Sequence, residues 1–332
     1  KEKNFVALEK VDEITDEGAK DVFLFYPHSA TMDDRNNLYV YDLMQAKILQ
    51  FDRYFKFIRS FGGVGAGPGE FIGKGKMYPV FINVGLDKKL YAHDWMARKV
   101  SIFDTEGKFI KHITMMMSGD TPFSKPVVDI QGNLLLQEFK GDRLVFSTLK
   151  GETLFSSDHK EKKKQILFEE EKIPDDFAKM LNRLPFNYNW DELQMTLTRN
   201  SALIVYFPLS ATVQVINLKD KKLVKKFNVW PEEAIKCRKP QVLKITKKNG
   251  YSRLFPSIFL DGDQDNIFYL DFTFNEDDRR HYVYKLNLDS ELLEVLHFLE
   301  KEKTYTNFMV KQNNLFVARC QDKIIIYKEV KK

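Results

Sequence analysis

Asn37-Leu38-Tyr39-Val40-Tyr41-Asp42, running on through Lys47-Ile48-Leu49-Gln50-Phe51-Asp52, is the stretch on which the fold turns. It returns as Lys89-Leu90-Tyr91-Ala92-His93-Asp94 and Lys99-Val100-Ser101-Ile102-Phe103-Asp104, with every matched position offset by 52. The offset holds for the following strand, where Lys56-Phe57-Ile58 is answered by Lys108-Phe109-Ile110. Repetition on this scale marks an architecture in which each unit buries its apolar faces against its neighbours. Looser copies follow at Gly132-Asn133-Leu134-Leu135-Leu136, Asn200-Ser201-Ala202-Leu203-Ile204-Val205, Asp265-Asn266-Ile267-Phe268-Tyr269-Leu270-Asp271 and Asn313-Asn314-Leu315-Phe316-Val317. Each joins a Gly/Asn/Asp turn to a short apolar strand. Several add an alternating strand such as Val213-Gln214-Val215-Ile216 or Tyr282-Val283-Tyr284.

Six such units of four short antiparallel strands predict an all-β, six-bladed β-propeller, a single domain spanning 1–332. The sixth unit offers only Ile324-Ile325-Ile326-Tyr327 before a basic tail and so falls one strand short. Phe5-Val6-Ala7-Leu8 is expected to supply that outer strand and close the ring, which removes a vulnerable sheet edge.

Composition fits a large strand-rich core, with 28 Phe and 14 Tyr among 332 residues. Lys and Arg (52) barely outnumber Asp and Glu (47), and this balance argues against nucleic acid as the partner. No stretch approaches the roughly 18 consecutive apolar residues of a membrane helix, so a soluble monomer is expected. Cys237 and Cys320 match no metal or redox spacing and read as buried free thiols, one disulfide being the alternative.

The segment Phe61-Gly62-Gly63-Val64-Gly65-Ala66-Gly67-Pro68-Gly69-Glu70-Phe71 resembles the inter-blade signature of NHL-repeat and related secreted bacterial six-bladed propellers. The match is close over 24–113, loose over 125–155 and 255–330, and poor between. It implies the fold, and with the Met-less start it implies an extracytoplasmic location: periplasmic, cell-surface or secreted. It carries no activity over, because one propeller scaffold hosts many functions. The glycines read as a tight crossover between blades rather than a phosphate cradle, since Pro68 and Gly75 break the Walker pattern around Gly73-Lys74.

In a propeller the inter-blade loops and the loops between second and third strands share one face, the top. Two insertions, 156–192 and 231–255, fall there, the first with a helix expected over 174–184 from the spacing of Phe177, Met180, Leu181 and Leu184. Trp95, Trp190 and Trp230 land on the same face, beside Tyr188 and Arg253. With His28 and His93 at the channel mouth, they form the candidate site for a small molecule, glycan, peptide or protein partner. Plugging gaps between blades is the plainer role for each Trp.

Asp42, Asp94 and Asp271 follow second strands, where a carboxylate caps the next turn. A divalent metal such as calcium is the alternative, held by His28, His93 and Asp94 in a lactonase-like or amidating-lyase-like hydrolase or lyase. The chain lacks those families' ligand motifs and has no Gly-x-Ser-x-Gly elbow. Its Lys160–Lys164 run is followed by Glu169-Glu170-Glu171 and reads as solvated loop. A non-enzymatic binding or interaction propeller is therefore the expected function.

Overall fold

The computed structural model describes residues 6–15, 23–72, 80–94, 96–115, 126–140, 143–148, 153–158, 194–198, 202–207, 212–228, 258–264, 267–273, 281–289, 293–298, 309–320 and 323–331. These residues form strands and turns, with no helix among them. The first strand, β1 (Val6–Ile14), precedes a sheet of β2 (Pro27–Met32), β3 (Leu38–Asp42), β4 (Lys47–Phe51) and β5 (Phe57–Gly62). A second sheet contains β6 (Val80–Val84), β7 (Leu90–Asp94), β8 (Lys99–Phe103) and β9 (Phe109–Thr114). The third is β10 (Val127–Val128), β11 (Leu134–Lys140), β12 (Arg143–Thr148) and β13 (Thr153–Asp158). The fourth is β14 (Gln194–Leu197), β15 (Ala202–Phe207), β16 (Thr212–Asn217) and β17 (Lys222–Asn228).

The remaining strands make one eight-stranded sheet. They are β18 (Ile258–Gln264), β19 (Ile267–Thr273), β20 (His281–Asn287), β21 (Leu293–Phe298), β22 (Met309–Gln312), β23 (Leu315–Cys320) and β24 (Lys323–Lys331), together with β1. The order is β18-β19-β20-β21-β1-β24-β23-β22, so β1 pairs antiparallel with β24 and parallel with β21. The strand supplied by the N-terminal segment is thus in place. One sequence expectation needs correction. The basic tail is the end of β24, held in the ladder because Lys331 faces Val6. The acidic run Asp261-Gly262-Asp263-Gln264, which a sequence reading would take for a hairpin turn, ends strand β18, with Asp261 opposite Tyr269.

Second and third strands are buried on both faces, which is why Leu38-Tyr39-Val40-Tyr41-Asp42 reads as a near-continuous apolar run rather than an alternating one. Leu38 and Val40 pack toward Val317, Ile324 and Ile326. Tyr39 and Tyr41 face the other way, toward Val80, Ile82, Leu90 and Phe103. Tyr91, Val100 and Ile102 meet Val128 and Leu134, and Val127 and Leu135 meet Leu203, Val205 and Ile216. Val283 and Leu296 pack with Phe316 and Tyr327. The first three sheets are therefore each sandwiched between two others, and the core is divided into slabs between sheets.

The first strands touch in cyclic order: β2 on β6, β10 on β14, β14 on β18, β18 on β22, and β22 back on β2. Asn83 of β6 reaches the segment before β10 by donating from Nδ2 to Pro126 O at 2.9 Å. Side chains bridge these strands where the backbone does not. Ser29 Oγ accepts from Ile82 N at 3.1 Å, and Thr31 Oγ1 accepts from Val84 N at 3.2 Å.

At the lower end, turns are held by carboxylates. Asp33 Oδ1 accepts from the backbone N–H of Arg35 and Asn37, and its Oδ2 lies 3.3 Å from the Tyr39 hydroxyl. In the second sheet Gly85 occupies the place matching Asp33, and Asp87 accepts from the Tyr91 hydroxyl instead, at 2.9 Å. Asp52 and Asp104 each accept two backbone N–H bonds in matching turns. The first of those turns puts Phe55 at φ 60°, where the second has Gly107 at 83°. The outermost strands β5, β9, β13 and β17 all carry a one-residue register shift at the same level. Such bulges twist an edge away from foreign strands. They also leave Ile58, Ile110 and Val224 exposed.

Candidate functional site

The upper ends of the first two sheets are fixed by register. Pro27, Asp42, Lys47 and Gly62 form one row, and Val80, Asp94, Lys99 and Thr114 the other. Asp42 is fully buried, and its carboxylate gathers four backbone N–H groups. Oδ2 accepts from Phe25 (2.7 Å) and Tyr26 (3.0 Å), and Oδ1 from Met44 (3.0 Å) and Gln45 (3.1 Å). Asp94 repeats the device, accepting from Ile72 N at 2.9 Å and Ala97 N at 3.0 Å. A carboxylate placed at a strand end can cap the following turn in this way, and here it also anchors the incoming chain. Asp271 lies within β19, opposite Phe259 and Val283.

The glycine-rich segment crosses between the two sheets and packs down. Glu70 Oε2 accepts from Gly67 N at 2.8 Å, and a Cβ at Gly65 would overlap the same carboxylate. The side chain of Glu70 thus fills the turn where an anion would have to sit. Phe71 drops from this loop into the core, edge-on to Tyr41 at 5.3 Å and tilted against Phe103 at 6.3 Å. Lys99 ties the loop from below, donating to Glu70 O at 2.7 Å.

Tyr41 is fully buried, and its hydroxyl has no hydrogen-bond partner among the described residues. Burial, and then the negative charges of Asp94 and Asp42, push its pKa up, so it stays protonated.

His28 sits in the irregular step between Pro27 and Ser29, with its ring 5.5 Å from Phe81 and 6.5 Å from Tyr26. Phe81 stands opposite His93 across the β6–β7 ladder. His28 therefore lies, across the gap between adjacent sheets, against the ladder neighbour of His93. Asp94 follows His93 directly, so its side chain leaves the other face of the strand. Among the described residues no three His, Cys, Asp or Glu side chains are grouped to hold a metal ion. Trp95, Tyr188, Trp190, Trp230 and Arg253 lie outside the described residues, as do Cys237, Lys160–Lys164 and the helix expected over 174–184.

Sequence reasoning passed over an apolar rim at this end. Phe23 and Phe25 are 61% and 60% exposed, their rings stacked at 6.1 Å. Met44, in the turn capped by Asp42, and Ile72 and Met96, around Asp94 at the same end of the second sheet, are exposed as well. The signal was present, since Met44 and Met96 occupy the same place in the repeat, two residues after the capping aspartates. The turn geometry that lifts them out of the core is not visible in composition.

No family model matches the chain, and no curated protein sequence matches it. Solved structures do. A candidate exported protein from Bacteroides fragilis is similar over 100% of this chain and 98% of its own, at 12% identity and a TM-score of 0.57. Virginiamycin B lyase from Staphylococcus aureus is similar over 98% of this chain and 100% of its own, at 12% identity and a TM-score of 0.53. A structure of the mitotic checkpoint complex contains a chain similar over 99% of this one and 93% of its own, at 6% identity and a TM-score of 0.51. Both a lyase and an assembly component thus share the fold, so the likeness does not choose between activities. No helix among the described residues is long and apolar enough to cross a membrane. By this likeness the chain is an all-β propeller of antiparallel strands, similar to propeller proteins of bacteria.

Proposed function

We propose that this chain is a non-enzymatic, extracytoplasmic propeller of six four-stranded blades in one domain, binding a ligand or partner at its upper rim and channel mouth. Two features support the blade count: the cyclic contacts of the first strands, and the division of the eight-stranded sheet at β1 into β18–β21 and β22–β24 with β1. The observation that carries the binding reading is the pairing of carboxylates committed to backbone N–H groups with an exposed apolar rim. Asp42 and Asp94 are occupied by backbone N–H groups, while Phe23, Phe25, Met44, Ile72 and Met96 are offered to solvent above them. Exposed aromatic and methionine side chains grouped on one face suit recognition by shape and apolar area. His28 and His93 belong to the proposed site. Trp95, Tyr188, Trp190, Trp230 and Arg253 join it on the strength of their chain positions.

Thermal-shift screening against metals, sugars and peptides, followed by titration of the hits with Phe25→Ala and His93→Ala variants, tests this reading. Binding of a hit is expected to weaken by roughly tenfold or more when a central contact is lost. Hits indifferent to both substitutions would place the site elsewhere.

A second reading, a metal-dependent hydrolase or lyase, draws on His28 lying against Phe81, the ladder neighbour of His93, which leaves two imidazoles at the same end of adjacent sheets. Stoichiometric calcium or zinc by elemental analysis, lost in His93→Ala, would promote it over the first.

A further inference from the structure

Among the described strands, β1 stands apart in bridging two blade-like units. It carries β24 on one edge, through pairs from Val6↔Lys331 to Ile14↔Ile324, and β21 on the other, at Ala7↔His297 and Leu8↔Phe298. Its hold is mostly main chain: Ala7, Leu8 and Ile14 are buried, whereas Glu9, Val11, Asp12 and Glu13 are exposed. The ladder also slips between Lys10 and Asp12. Without β1, the run Ile324-Ile325-Ile326 of β24 would lie on an open sheet edge, and an apolar edge recruits another strand.

The segment that fits that edge in register, apolar positions and charge is Val6–Ile14, with Glu13 set 3.1 Å from Lys323. A second copy of the chain carries the same segment. We propose that the slot between β21 and β24 is a strand-accepting site, and that a second copy fills it with its own Val6–Ile14 in a reciprocally exchanged dimer. Both arrangements make the same contacts, so concentration sets the balance. A short tether presents its own strand at an effective concentration of roughly millimolar. Exchange therefore gains ground as the protein concentration approaches that level, or when β1 is released and re-formed among many copies. Reciprocal exchange closes on itself and leaves no strand edge over.

The test uses full-length chains in which Cys237 and Cys320 are replaced by Ser. Glu9 and Lys328 face each other in the ladder, with both side chains exposed. A Glu9→Cys chain and a Lys328→Cys chain are mixed at about millimolar concentration, warmed toward the melting temperature, cooled and treated with a short bis-maleimide. The expected product is a covalent heterodimer, while a chain carrying both substitutions links internally at low concentration. Moving the cysteine from Glu9 to Tyr54, exposed in the turn before β5 and no ladder partner of Lys328, is expected to cut the heterodimer at least about tenfold. Internal linkage in the double variant with no heterodimer from the mixture overturns the proposal. So does a heterodimer yield indifferent to where the first chain carries its cysteine.

Discussion

A single buried carboxylate at the upper end of the first sheet organises the segment before β2 and the turn after β3. Asp42→Ala would strand the four N–H groups it now satisfies, and buried unsatisfied donors cost about 1–3 kcal/mol each before relaxation and water recover part of it. The expected loss is about 3 kcal/mol or more, read as a lower midpoint in urea, with Asp42→Asn falling between. An unchanged midpoint would mean that these hydrogen bonds are replaced by water at no cost. The repeat made this role legible, because the residue type and its position after a second strand already suggest a turn cap. The rim formed by Phe23 and Phe25 was not legible. Aromatics before a strand look the same whether they turn inward or out, and here the Asp42 bonds to Phe25 N and Tyr26 N decide the path.

Strands are where charge and closure meet. Glu13 of β1 is bonded by Lys10 at 3.0 Å and by Lys323 of β24 at 3.1 Å, and hydrogen bonds from the two lysines, Lys10 first, hold its pKa below the usual carboxylate value. A depressed folded-state pKa stabilises the fold above the unfolded carboxylate pKa, and that contribution is lost as pH falls through the folded value. Glu13→Gln is therefore expected to lower the melting temperature near neutral pH and to matter less below about pH 4. The side chain is 38% exposed, so the effect should stay under about 1 kcal/mol. An equal deficit at both pH values would assign it to something other than charge. Pairing of β1 with the last strand was foreseeable, because the sixth unit lacked an outer strand. Its parallel contact with β21 was not, since pairing across neighbouring units depends on how far each sheet twists.

Across the molecule, slabs of side chains shared between sheets make stability collective. Phe71, fully buried between Tyr41 and Phe103, belongs to the first two sheets at once. Phe71→Ala is expected to cost about 3–5 kcal/mol. The loss should appear by circular dichroism and by tyrosine fluorescence as one transition moved to lower temperature. Two separated transitions would show that the sheets melt independently. The repeat was plain in the first two units because 52 positions bring nearly every residue into register, and faint afterwards. The lower turns show one way such a signal fades. Asp33 receives the hydroxyl of Tyr39, but for Tyr91 the acceptor is Asp87, two places further along a turn whose first residue is Gly85. A tyrosine can keep its partner while that partner changes address, so two copies of a unit share a bond that no column-by-column comparison of letters would find.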